Sequence, residues 1–196
     1  MNAKKLSFLL LILVAVACTN RSTSSEQDEM RHWNNVLQQI NALLLENKAR
    51  QTLDLAKQTL PEILESAEKN GTTDTLIYYA RKIFNACGNN YINTKQYKDG
   101  IDYMDSIGNH PLIREHCPHE LLSFKAGLNQ LYGNNPEAVR LAEDYLQLPV
   151  CTSANDFIRQ AEIISGVYMY SGNNLPKAIQ ILEKAIDVYR KGGNFP

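Results

Sequence analysis

The stretch Phe84-Asn-Ala-Cys87-Gly88-Asn-Asn-Tyr91, continued by Gly100-Ile-Asp-Tyr-Met104 and closed by Pro111, decides the fold. Its apolar and small residues recur at helical spacing in two blocks. Gly88 and Gly100 lack side chains and let two helices approach closely. Phe84, Tyr91 and Met104 are bulky enough to fill the space around that contact. Pro111 is expected to stop the second helix, because proline cannot donate the next backbone hydrogen bond. A hairpin of this size leaves apolar surface uncovered and needs stacked neighbours.

Such neighbours recur along the chain. Trp33, Val36, Leu37 and Ile40 form a stripe, answered by Ala49, Leu53 and Ala56, with Pro61 beyond and Asn70-Gly71 as the stop. Leu43, Leu44 and Leu45 read as the end of a first helix tucked under its partner. Thr72 or Thr73 is a helix cap, followed by Asp74 in the first turn. One helix is expected from about Asp74 to Tyr91 and another over Lys95 to Ile107. Asn109 to His119 reads as a loop holding two prolines. Leu121, Phe124, Leu128 and Leu131 restart the period, and Asn135-Pro136-Glu137 reads as cap, first-turn proline and acid. Phe157, Ala161, Ile164 and Tyr168, then Ala178, Leu182 and Ala185, supply the last pair. The turn between them at Gly172-Asn173-Asn174 is one residue longer than usual.

This register resembles the tetratricopeptide repeat (TPR): an aromatic, a small pair, a tyrosine, a second small residue, a bulky residue and a proline. The small residues that open the second helices are Ala49, Gly100, Ala138 and Ala178. The resemblance covers residues 30–190 and is weakest in the third unit, where Lys125 and Asn129 stand at positions usually apolar or aromatic. It implies an all-α, right-handed solenoid of about four helical hairpins. It also implies a concave groove lined by the first helix of each pair. In the second unit the groove positions are Lys82, Asn85, Asn89 and Asn93, similar to the polar clamp with which some such domains hold a peptide carboxylate. Arg159 and Glu162 are the equivalents in the fourth unit, and Arg31, Asn34 and Gln38 in the first. A lysine with several amides on one face suits a carboxylate or a peptide backbone.

The N-terminus reads as an address. Lys4 and Lys5, the apolar run Leu6 to Val14 and the close Ala15-Val16-Ala17-Cys18 are the three parts of a bacterial signal peptide. The close resembles a lipobox, which makes Cys18 the lipidated residue after cleavage of 1–17. Ala15 stands where leucine is usual, and it also suits an ordinary signal-peptidase site. Residues 18–29 then form a Ser/Thr-rich, disordered tether. Residues 191–196, with Gly192-Gly193-Asn194, read as a tail or as one more inter-repeat turn of a truncated array. The final helix has an apolar face in want of a neighbour, and a homodimer through that uncapped helix is one way to cover it.

The 196 residues carry a formal net charge of −1, and −3 once residues 1–17 are removed, with both signs interspersed. No basic nucleic-acid footprint is present. His110, His116, Cys117 and His119 crowd a short stretch but fit no metal-ligand template, so no metal or other cofactor is expected. Cys87 reads as a buried thiol, while Cys117 and Cys151 lie in successive inter-repeat loops, near enough for a bridge to be considered in an export compartment. Asp99 and Asp102 share a helix as solvated acids, and no catalytic constellation appears. The expectation is a non-catalytic, lipid-anchored module that binds a protein or peptide at the bacterial cell envelope, on the periplasmic or outer-membrane face. The alternative is the periplasmic sensor portion of a longer two-component signalling protein, since the array is similar to the TPR sensor regions of envelope histidine kinases.

Overall fold

The computed structural model describes residues 27–149 and 154–191, and among them every regular element is an α-helix. Nine helices follow in order: α1 (residues 27–45), α2 (Ala49–Asn70), α3 (Asp74–Asn93), α4 (Tyr97–Ile107), α5 (Pro111–His116), α6 (Pro118–Tyr132), α7 (Asn135–Gln147), α8 (Ala154–Tyr170) and α9 (Leu175–Lys191). The signal peptide, Cys18, Cys151 and residues 192–196 lie outside the described residues. Residues 27–29, expected in the tether, belong to α1, and Glu29 accepts a 2.8 Å hydrogen bond from Ser66 of α2. Among the described residues no helix is long and apolar enough to cross a membrane.

The same turn recurs between helices. At the ends of α1, α3 and α6 a residue with positive φ closes the helix: Asn47 at 55°, Lys95 at 58° and Gly133 at 95°. In each case the next N–H reaches back five residues: Lys48 to Leu43, Gln96 to Tyr91 and Asn134 to Asn129. The left-handed residue itself donates to the carbonyl three before it, as in Asn47 to Leu44. This is the Schellman arrangement, which satisfies two carbonyls that a helix end would otherwise orphan. After α8 the turn is longer, with the left-handed residue at Asn173 and Asn174 reaching back six residues to Tyr168. Asn174 then caps α9 by accepting from the Lys177 N–H at 3.1 Å.

Packing follows the chain order. α2 packs on α3, α4 on α6, α6 on α7 and on α8, and α8 on α9. α6 is shared between two cores: Phe124 and Leu128 join the core of α1 to α5, while Ala126 joins that of α7 to α9. Close approaches are built on glycine. A β-carbon on Gly100 would meet Leu128 and Tyr91 at 3.0 Å, and one on Gly127 would meet Ile163 Cγ2 at 2.8 Å. Gly127 thus lets α8 settle against α6, and Ile163 reaches across to the first core.

Three further expectations are corrected. Asn109 to His119 is not an open loop. Pro111 starts α5 rather than ending α4, because a first-turn N–H has no helical partner to lose. His110 caps α5 by accepting from the Leu112 N–H at 3.2 Å, and Pro118 opens α6. α7 is capped one residue earlier than expected, at Asn134, whose side chain instead donates to Asn129 Oδ1 at 3.0 Å. Finally, Leu44 and Leu45 are not tucked away: they are 42% and 86% exposed. The turn at Asn47 carries the chain away before a partner helix can cover them.

The two polar residues at positions expected to be apolar, Lys125 and Asn129, are satisfied locally. Asn129 of α6 is buried, with Nδ2 donating to the Lys125 carbonyl at 2.8 Å, and the Lys125 ammonium pairs with Asp105 of α4 at 2.5 Å. Together these seat Lys125 and Asn129 on α6 without breaking the packing.

Candidate functional site

α3 carries the site. Thr73 caps it by accepting from the Leu76 N–H at 3.2 Å, with Asp74 in the first turn. Leu76, Ala80, Ile83, Phe84 and Cys87 are buried against neighbouring helices. That fixes the rotation of α3 and leaves Lys82, Asn85, Asn89 and Asn93 along one open side. These four line a cavity of about 690 Å³ together with Arg159, Glu162 and Ile163 of α8 and Leu37, Ile40, Asn41 and Leu44 of α1. Six of the nine groove residues named from sequence, Lys82, Asn85, Asn89, Asn93, Arg159 and Glu162, therefore border a single space. From the first helix, Arg31, Asn34 and Gln38 are exposed and lie outside it. Burial of Trp33, Val36 and Ile40 sets the rotation of α1, so that Leu37, Asn41 and Leu44 face α3 instead.

The groove has chemically distinct ends. Lys82 marks the end of the groove nearest the start of α3, and Arg159, with Glu162 one turn beyond it on α8, also brings charge to the lining. The Lys82 ammonium lies 5.8 Å from the Tyr78 ring centroid, a cation–π distance that holds it beside the groove. Toward the other end come Asn89, Asn90, Asn93 and Leu44. A second space of about 300 Å³ continues from there, lined by Leu44, Asn47, Lys48, Ala49, Asn90 and Asn93. Leu37, Leu44, Ile92 and Ile163 give the walls an apolar component.

Asn90, like Leu37, Asn41 and Leu44, is a groove residue that the sequence reading missed. It is fully buried, and its Nδ2 donates to the Ala86 carbonyl at 2.8 Å, but its Oδ1 has no hydrogen-bond partner among the described residues. Asn89 is half-buried and shares only the donation, its Nδ2 donating to the Asn85 carbonyl at 2.9 Å. The available signal was the doublet itself, Asn89-Asn90, beside a stripe already recognised.

The histidine and cysteine stretch is drawn apart. The His110 ring stands 3.2 Å from Glu68, and His119 Nε2 donates to the Pro149 carbonyl at 2.6 Å. Cys117 is a buried free thiol beside the Arg81–Glu120 ion pair, whose Nε–Oε1 distance is 3.2 Å. Burial, and secondarily the Glu120 charge, push the Cys117 thiol up to about 12, and burial likewise raises Cys87 to about 12. Neither thiol is activated as a nucleophile. Among the described residues no His, Cys, Asp and Glu cluster could hold a metal ion. Asp102 pairs with Lys98 on the surface. No family model matches this chain, and no curated protein or solved structure does either.

Proposed function

We propose that this chain is an exported, lipid-anchored TPR-like module that holds a protein or peptide segment at the bacterial cell envelope without catalysis. The observation that carries the reading is the convergence of Lys82, Asn85, Asn89, Asn93 and Arg159 on one open groove. Cations, amides and apolar walls in one channel suit a chain with alternating polar backbone and apolar side chains. The turn repeated after α1, α3 and α6 supports the repeat register. Cys18 carries the lipid and residues 19–26 link it to the helices.

A photo-crosslinking amino acid placed at Asn93 or Arg159 of the full chain, expressed with its leader in bacteria, tests this. Expected are discrete adducts to envelope proteins, lost in a Lys82→Glu/Arg159→Glu background. The same adducts from Gln58, on the exposed side of α2, would contradict it.

A further inference from the structure

Large apolar side chains that stand exposed are concentrated in one place. There are ten among the described residues, and six of them are the last pair of a helix: Leu44-Leu45 of α1, Leu131-Tyr132 of α6 and Met169-Tyr170 of α8. Singly, such residues are ordinary on a protein surface. Paired at matching helix ends, they form a row. The ends stand side by side. The turn after α1 shares a space with Asn90 and Asn93 at the end of α3. Gly100, one turn into α4, packs on Leu128, one turn before the end of α6. Ser171, after α8, donates to Asn135 Oδ1, after α6, at 2.8 Å.

Resting on the lipid-anchored reading above, we propose that this row is a membrane-contact edge, seated in the headgroup layer of an anionic bilayer. Several features favour a lipid surface over a protein. Packed helices lie about 10 Å apart, so the pairs are separate points. A fluid surface accepts separate points, where a protein interface needs a packed centre. Tyr132 and Tyr170 are 54% and 72% exposed, and a ring with an apolar body and a polar tip suits the bilayer interface. The turns after α1, α3 and α6 already pair two helix-end carbonyls each, so less backbone loses water on entering the layer. Charge agrees with an anionic surface. Residues 44–50, 93–98, 131–137 and 169–177 hold five cations, Arg50 and Lys95 among them, against Glu46 and Glu137, although the whole chain is net −1. Lys98 and Lys177 pair with Asp102 and Glu143. The apolar row therefore carries most of the contact, and the remaining cations select the anionic surface.

The test places the full chain, exported by bacteria and isotope-labelled, in lipid nanodiscs of phosphatidylethanolamine and phosphatidylglycerol with a trace of gadolinium-headgroup lipid. Intact mass reports the acyl group, and NMR relaxation of the amides reports which edge lies at the headgroups. α2, with 22 residues, sets the opposite edge about 33 Å away. Expected is relaxation enhancement at Leu45, Tyr132 and Tyr170 and none at residues 70–73. Leu45→Ser/Tyr132→Ser/Tyr170→Ser changes exposed side chains only, so it should keep the helical spectrum and lose the enhancement. Lys95→Glu should reduce it in these discs and leave it unchanged in phosphatidylcholine discs. An acylated chain with no enhancement at the three tips, or with as much at residues 70–73, would overturn the edge and leave the anchor standing. A mass without the acyl group would overturn the anchor. Such a chain, added to the same discs, supports the edge if the three tips are still enhanced, and overturns it as well if they are not.

Discussion

The Phe124 ring lies flat against Gly88, so that a β-carbon at Gly88 would come 2.5 Å from Phe124 Cγ. This contact joins α3 to α6, and so links the helix that carries the groove to the helix shared by both cores. Phe84 meets the same ring edge-on, with centroids 6.1 Å apart.

Gly88→Ala is therefore expected to destabilise the protein by about 1–3 kcal/mol through overpacking. Phe124→Leu in the same chain should recover part of that loss. Thermal or urea unfolding of the two single variants and the double variant checks this, and additive losses would show that the two residues are not in conflict.

Lys95 pays for its left-handed backbone at φ 58°, a region that costs a residue with a side chain about 1–2 kcal/mol. Lys95→Gly should stabilise the protein by about 1 kcal/mol, part of the relief being offset by the greater freedom of glycine in the unfolded chain. A higher urea midpoint with an unchanged slope is the expected readout.

Much of this was legible in the sequence, for local reasons. The cap at Thr73, the stripes of α1, α3 and α6, the long turn after α8 and the polar face of α3 all follow from spacing along one helix. What was not legible depended on contacts between helices. Pro111 looks the same whether it ends one helix or starts another, and only the capping His110 decides. Leu43 to Leu45 looked inward because three leucines in a row suit any face. Which residues α1 turns toward the groove depended on how Trp33 seats against Tyr79, with ring centroids 5.9 Å apart. The buried role of Glu120 required knowing that Arg81, 39 positions earlier in the numbering, stands opposite it.

Arg81→Leu leaves the Glu120 carboxylate, only 2% exposed, without its cation. Arg81 is itself partly exposed, so the loss should fall toward the lower end of the about 3–5 kcal/mol typical of a broken buried pair. Arg81 also donates to the His116 carbonyl at 2.5 Å, so α5 should loosen. Adding Glu120→Gln should restore part of the stability; a double variant no better than the single would contradict the pairing.

The thiols set an alkaline limit. In the folded protein Cys87 and Cys117 hold their protons to about 12, against an ordinary value of 9.0. Between those values the unfolded chain binds fewer protons than the folded one, so stability falls as pH rises through that window and is fully present below it. Cys87→Ala should flatten part of the slope in unfolding measurements between pH 9 and 11. At pH 8 iodoacetamide should modify neither Cys87 nor Cys117 until denaturant is added, as read by peptide mass spectrometry.

The central claim is that the space between α1, α3 and α8 takes a peptide. Its most direct measurement is the NMR titration of the full chain with a free-carboxylate pentapeptide pool, comparing wild type with Lys82→Glu/Arg159→Glu. The account predicts shifts confined to Asn85, Asn89, Asn93, Arg159 and their groove neighbours, abolished in the charge-reversed protein while its helical spectrum is unchanged. Shifts scattered over the outer faces of α2 and α7, or groove shifts that survive charge reversal undiminished, would contradict it.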